Sequence, residues 1–548
     1  MRFNKQHNYL IHPSRGRVFF LAFLVVHTVV SFYYISQHNV TFDEPEYMEY
    51  AKRWLHGRPE RIQPLDDSKS PIVGIAWIPR VVRQTVNPDY RLYDYGRKDQ
   101  KEGRYMMILF SFVTALYVYW WCKDLYGQRG WYLPLLMLLF DPLYLAYSTI
   151  ITTDLASGAF LVAILYHYRK YLLTRSRKHF YLSALFTGLG IITKQTLLFS
   201  LLLLPIISLV YYFTAKPVRP YLSNKNLFDT VLFMMIVAMV VNVIYYLHQT
   251  FIPLGSYVFE SNALQSLQHA LAFLHRVPVP LPHSYVQSID MLKAHAELGA
   301  GKPASTYNGT YLFHELKLSG SYWYYYIVHF WYKMPLGTML LFLCSIIMFF
   351  RKFRLTSFSQ QYLFLLLPVI FYFIVLTFFN PFKSGLRHLL LILPLSYIGL
   401  GYLFQQVVKA KAVYKVLTGT AIAYPIISLA VYYPYIIPYT NEFVSNKKMV
   451  YRKIWDSSID YGQSDSSIKK FVAEHPEYKR ASAVPDTGKY AVLMGEMVNT
   501  YLRNANPYKW YQAFEPNGQY RYVVLLFDIR KEDLQNAYFG KADLNIIP

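Results

Sequence analysis

Long apolar stretches separated by short polar ones run along most of the chain. They predict membrane-spanning helices near 17–36, 104–121, 131–150, 155–173, 180–193, 195–214, 228–247, 334–350, 361–379, 386–404 and 413–433, about eleven in all. Lipid offers no partner to a free backbone N–H or C=O, so runs of this length read as helices. The stretch Phe180 to Phe213 is interrupted only by Thr193, Lys194 and Gln195, which predicts a broken or re-entrant hairpin there. The first apolar run, Arg17 to Ile35, lacks an evident small-residue cleavage site after it and reads as a retained helix rather than a signal peptide.

Basic residues sort by loop. Arg2, Lys5, Arg15 and Arg17 precede the first span, and Lys123 and Arg129, Arg169 to Lys178, Lys216 to Lys225, Arg351 to Arg354, and Lys409 to Lys415 fall in every second loop after it. The positive-inside rule therefore predicts a cytoplasmic N-terminus. The opposite side receives the loop 37–103, the turn before Asp154, the break at Lys194, the loop 249–333, the turn 380–385 and everything after about 437. That tail mixes Pro, Gly and charge with short apolar runs such as Tyr522 to Phe527, which predicts a small extracytoplasmic α/β domain over 437–548 behind a transmembrane domain over 1–436. The aromatic patch Ser319 to Met334 predicts an interfacial helix, with sugar stacking as the other reading.

Composition agrees with the pattern. Of 548 residues, 54% are hydrophobic and only 16% charged, against roughly 25% charged in soluble domains. The net charge of +23 would suit nucleic acid, but its placement in alternate short loops excludes that partner. Cys122 and Cys344 lie in or beside apolar runs and form neither a disulfide framework nor a metal motif. No internal repeat is visible, which weakens a repeat-built transporter, and the sequons at Asn39 and Asn308 are no more than chance supplies.

The chemistry-bearing residues lie on one predicted membrane face. Thr41-Phe42-Asp43-Glu44-Pro45-Glu46-Tyr47 sets two carboxylates just after a span, where Asp43 could take a proton or simply cap the helix that Pro45 begins. Arg104, at the outer start of the second span, could hold a phosphate in a bidentate fork or anchor at the interface. Asp154 stands in a short outer turn, where a helix cap is the alternative. Lys194 interrupts an apolar stretch, and Lys383, Arg387 and His388 stand at the start of the tenth span, where cations are costly unless paired or meeting a headgroup. Asp43 with Asp154 could hold a divalent cation, but no third ligand stands at helical spacing, and no metal or other cofactor is assigned.

The stretches FDEPEY at 42–47, DSKSPIVG at 67–74, GRYMMILFS at 103–111, YGQRG at 126–130, TTDLA at 152–156 and GLGIITKQT at 188–196 come in a particular order. So do SYWYYY at 321–326, KMP at 333–335, SGLRHLLLILP at 384–394, PYTNEF at 438–443 and SSIDYGQS at 457–464. Order and spacing together resemble the phospholipid carrier-dependent glycosyltransferases, the family 39-like enzymes related to dolichyl-phosphate-mannose protein O-mannosyltransferases and aminoarabinose transferases. The resemblance implies a C-type glycosyltransferase fold, a polyprenyl-phosphate-linked sugar donor, a lipid, glycan or protein acceptor, and residence in the plasma (inner) membrane with the site outside. It implies Asp43 as catalytic base, Glu44 as the support of a phosphate-binding Arg104, and Asp154 as part of the active site.

Where mannosyltransferases carry His-Pro-Pro after the first-loop acidic pair, this chain has Ser68-Lys69-Ser70-Pro71. Lys69 thereby joins Arg104, Lys194, Arg387 and His388 as a candidate for the carrier phosphate. A β-trefoil module, as in eukaryotic mannosyltransferases, does not fit the loop 249–333. The expected reaction is inverting transfer to an acceptor hydroxyl. A lipid-linked sugar transporter or flippase without transfer activity is the alternative, which carboxylates buried mid-helix would favour.

Overall fold

The computed structural model describes residues 13–62, 65–88, 97–215, 224–299, 309–318, 320–351, 358–380, 382–498 and 506–539. Arg2, Lys5, Lys216, Arg219, Lys352 and Arg354 of the basic segments, and Asn308 of the second sequon, lie outside these residues. Helix α1 (Pro13–Gln37) leads through an acidic loop into α2 (Glu44–Leu55), a 3-10 turn over Pro71–Trp77 and α3 (Ile78–Val86). Then come α4 (Arg97–Tyr126), α5 (Tyr132–Leu139), α6 (Pro142–Tyr147), α7 (Asp154–Thr174), α8 (Arg177–Thr193), α9 (Ser200–Ala215) and α10 (Asn224–Ile244). The loop beyond α10 holds α11 (Asn262–Ala270), α12 (His283–Leu298) and a hairpin of β1 (Thr310–Leu312) and β2 (Glu315–Lys317).

Among the described residues, five helical segments are long and apolar enough to cross a membrane: 16–37, 101–126, 195–214, 227–244 and 412–432. Their outward faces carry Val18, Phe19, Leu21, Val25 and Val29 on α1 and Met235 and Met239 on α10. Side chains that apolar, exposed along a whole helix, need lipid around them. The other expected spans are helical but shorter, more polar or broken. The run 131–150 divides because Asp141 caps α6 by accepting from Tyr144 N at 2.7 Å, with Pro142 at the first helical position. The run 180–214 breaks where sequence places it: Lys194 is extended at φ −151°, ψ 128° between α8 and α9. The aromatic patch forms α13 (Tyr325–Lys333), bent by 115° from α14 (Leu336–Arg351).

Beyond α15 (Leu363–Ile374), a 3-10 turn over Leu386–Leu391 precedes α16 (Leu393–Val408) and α17 (Ala412–Tyr432). The tail carries α18 (Asp465–Glu474), a four-stranded sheet and two short helices, α19 (Met494–Val498) and α20 (Lys531–Phe539). In the sheet, β3 (Lys479–Arg480) runs parallel to β4 (Gly488–Leu493), which pairs antiparallel with β6 (Val524–Ile529), and β5 (Gly518–Tyr520) closes the other edge. Before reaching that sheet, residues 438–463 pass back over the ends of the helices. Phe42 N donates to Tyr461 O at 2.9 Å, and Lys333 Nζ donates to Ile437 O at 2.7 Å and to Ser458 O.

Two glycines let these pieces meet. A Cβ on Gly158 would lie 2.4 Å from Leu390 O, so α7 can lie against the 386–391 turn only without a side chain there. Gly385 has φ +69°, and a Cβ there would lie 2.6 Å from Asp456 Oδ1. Both close approaches bring the start of α7, the 384–388 turn and the tail to one place.

Candidate active site

Five chain segments converge: the loop from α1 to α2, the turn before α7, the break after α8, the 384–388 turn, and the tail at 456–463. At their centre Arg387 joins the two aspartates, with Nη1 3.4 Å from Asp43 Oδ2 and 3.8 Å from Asp154 Oδ2. Lys194 Nζ donates to the other oxygen of Asp154 at 2.5 Å. The extended backbone at Lys194 is what releases this side chain from α8 and lets it reach α7. Arg387 is also held by Ser384, through Nε to the carbonyl at 3.2 Å and Nη2 to the hydroxyl at 3.0 Å.

Tyr461 completes the ring. It receives a hydrogen bond from Arg387 Nη1, donates its own to Asp43 Oδ2, and stacks against the Arg387 guanidinium at 4.4 Å. Burial raises its pKa well above the usual phenol value, with Arg387 opposing and Asp43 adding to the shift, so it stays a donor. Asp43 sits at the start of α2 but its side chain makes no capping hydrogen bond. Its Oδ1 accepts no hydrogen bond among the described residues, and the side chain is 36% exposed, against 6% for Asp154. Of the two carboxylates, Asp43 alone offers an open oxygen.

Lys69 forms a second edge. Its Nζ lies 2.9 Å from Glu46 Oε2 and 4.7 Å from the centre of the Tyr47 ring. Burial pulls its pKa down, but Tyr47, Asp43 and Glu46 outweigh that and leave it raised, so the ammonium keeps its charge.

The remaining expected site residues are buried. Arg104, expected at the carrier phosphate, is 1% exposed and committed to Glu44, with Nε to Oε1 at 2.8 Å and Nη2 to Oε2 at 2.6 Å; Nη2 also donates to Asn39 O. Glu44, expected among the catalytic groups and as the support of Arg104, makes that ion pair, is fully buried and accepts further from Thr41 N, Thr41 Oγ1 and Ile151 N. This pair fastens the acidic loop to α4 and to the turn before α7. Only Arg104 Nη1 remains without a hydrogen-bond partner among the described residues. His388, also expected to bind substrate, is buried with Nδ1 3.0 Å from the Tyr326 hydroxyl. Lys383 is satisfied by the carbonyls of Leu376 and Thr377. As for a cation between Asp43 and Asp154, that position is bridged by the Arg387 guanidinium, and no group of three metal-ligating side chains occurs among the described residues.

Sequence reasoning missed Tyr461. The stretch SSIDYGQS stood out, but nothing local reveals that residue 461 returns to residue 43. It also missed the support behind the ring: Asp456 accepts from Tyr325 Oη, Ser458 N at 2.6 Å and Ser458 Oγ at 2.6 Å, and lies 3.1 Å from His329. Burial would raise its pKa, yet His329, Ser458 and Tyr325 hold it below the usual range. Tyr325 Oη in turn accepts from Gly385 N at 2.9 Å, tying this support to the turn that carries Arg387.

Comparison with known proteins bears on residues that build this site. Residues 96–246 match the family model for dolichyl-phosphate-mannose-protein mannosyltransferases. No curated protein matches the chain. Among solved structures, ArnT from Cupriavidus metallidurans bound to undecaprenyl phosphate is similar at 13% identity and a TM-score of 0.44, covering 80% of this chain and 73% of that one. The apo oligosaccharyltransferase of Archaeoglobus fulgidus is similar at 14% identity and a TM-score of 0.43, over 81% of this chain and 60% of that one. Residues 96–246, which carry Arg104 and contribute Asp154 and Lys194 to the cluster, are thus similar to the dolichyl-phosphate-mannose-protein mannosyltransferases.

Proposed function

We propose that the protein transfers a sugar from a polyprenyl-phosphate carrier to an acceptor hydroxyl on the extracytoplasmic face, with inversion at the anomeric carbon. The observation that carries this reading is the open oxygen of Asp43 beside a cluster of cations held in place by the buried Asp154 and by Glu46. A general base needs an accessible lone pair within reach of the proton it takes. Asp43 Oδ1 accepts the acceptor's proton as its oxygen attacks the anomeric carbon. The bond from that carbon to the phosphate oxygen breaks, and the carrier phosphate leaves with the electron pair. Arg387, Lys194 and Lys69 face the charge that develops there, and fixed cations outside bulk water stabilise it more than solvent does.

Asp154 is a positioning residue in this scheme: buried between Arg387 and Lys194, it neutralises and orients both. Residues 437–548 are taken as an extracytoplasmic domain whose leading segment brings Tyr461 to the site. The test is transfer of radiolabel from a panel of polyprenyl-phosphate sugars to envelope acceptors, in membranes bearing the wild type or Asp43→Asn at matched abundance. Loss of transfer with Asp43→Asn is expected; equal transfer would remove Asp43 as base. Carrier sugar crossing the membrane with no transfer by either protein would favour a flippase.

A further inference from the structure

Arg80 is 2% exposed, and its Nε, Nη1 and Nη2 all lack a hydrogen-bond partner among the described residues. The guanidinium carbon lies 4.4 Å from the centre of the Trp77 ring, and Trp77 Nε1 is likewise buried and without a hydrogen-bond partner among the described residues. A buried guanidinium without a counter-charge is costly, and a ring face offsets only part of that cost. The donors gathered here are all N–H groups, and one of them is a cation. What satisfies them must therefore accept several hydrogen bonds and carry negative charge.

The setting narrows the chemistry. Arg80 sits on the inward side of α3, whose outward side exposes Ile78, Val81, Val82 and Val86. Arg83 on the same helix is exposed and paired with Glu102. An amphipathic helix with an exposed branched-aliphatic face lies along a bilayer surface, where the abundant anions are phosphates. The fork of an arginine matches two phosphate oxygens at once.

We propose that Arg80 and Trp77 form an anion site beneath α3 that takes the phosphate of a membrane lipid headgroup. The site uses none of the residues assigned to transfer and holds whether or not transfer occurs. Hydrogen exchange of the peptide spanning 78–86, measured on the full chain in nanodiscs, tests it without a substitution. Polyprenyl phosphate, the polyprenol of equal length, phosphatidylglycerol and inorganic phosphate are added separately. Protection by polyprenyl phosphate alone supports a carrier-selective site, protection by both phospholipids a general headgroup site, and protection by inorganic phosphate a site that reads the phosphate itself. Equal protection by polyprenol, or protection by none, overturns the proposal. Arg80→Gln should weaken binding of the effective phosphate about tenfold to a hundredfold, as loss of a charge-assisted pair does. Arg80→Lys, which keeps the charge but not the fork, should fall between; affinity unchanged in both variants also overturns the proposal.

Discussion

Glu44→Leu tests whether Arg104 serves the structure rather than the substrate. The substitution removes the acceptor of two Arg104 hydrogen bonds, at 2.8 and 2.6 Å, and of backbone donors from Thr41 and Ile151. It leaves a fully buried guanidinium held only by Asn39 O, and breaking a buried pair from one side costs about 3–5 kcal/mol. At about 2.1 cal/mol/K per residue, 548 residues unfolding together lose roughly 1 kcal/mol per degree, so the midpoint should fall by about 3–5 °C. Thermal unfolding of the detergent-solubilised protein, followed by intrinsic fluorescence, measures this. Arg104→Met should cost a similar amount, and the double variant less than the two together, because neither charge is then left unpaired. The reasoning fails if Arg104→Met shifts the midpoint by less than about 1 °C while carrier binding is lost. That pattern would return Arg104 to the phosphate.

Asp43→Asn should lower transfer by about a hundredfold or more, the usual contribution of a general base, without moving the thermal midpoint, since the side chain is part-exposed and caps no helix; a matching stability loss would point to a structural role. Tyr461→Phe removes the donor to Asp43 and the partner of Arg387, so kcat should fall and the acidic limb of the pH–rate profile should shift; an unmoved profile would make Tyr461 mere packing. Lys194→Met leaves Asp154 with Arg387 at 3.8 Å as its remaining cation, and it should raise KM for the carrier sugar more than it lowers kcat. Burial raises the Asp460 pKa to about 6, against hydrogen bonds from Gly462 and Ser464 that lower it. The folded state thus holds this proton more tightly than the unfolded state, so stability falls as pH rises from about 4 to 6 and is level above that. Asp460→Asn should therefore stabilise by up to roughly 3 kcal/mol above pH 6 and by nothing near pH 4, as thermal unfolding against pH would show.

The sequence by itself determined that helices run through most of the chain, because apolar stretches of span length have no other way to satisfy their backbone. The break at Lys194, the helix in the aromatic patch and the mixed helices and strands of the tail were legible for the same reason: each is a local conflict or periodicity. So was the set of charges on one predicted face. Only the tertiary structure decided what each charge does. Arg104 and Arg387 are alike in sequence, each a cation at the start of an apolar helix, yet one is sealed against Glu44 and the other stands between Asp43 and Asp154. Gly158 and Gly385 help place Arg387, because their missing side chains let α7, the 384–388 turn and the tail close together. Tyr461 meets Asp43 across 418 residues of sequence. Such a contact arises from packing between distant segments, and no local pattern encodes it.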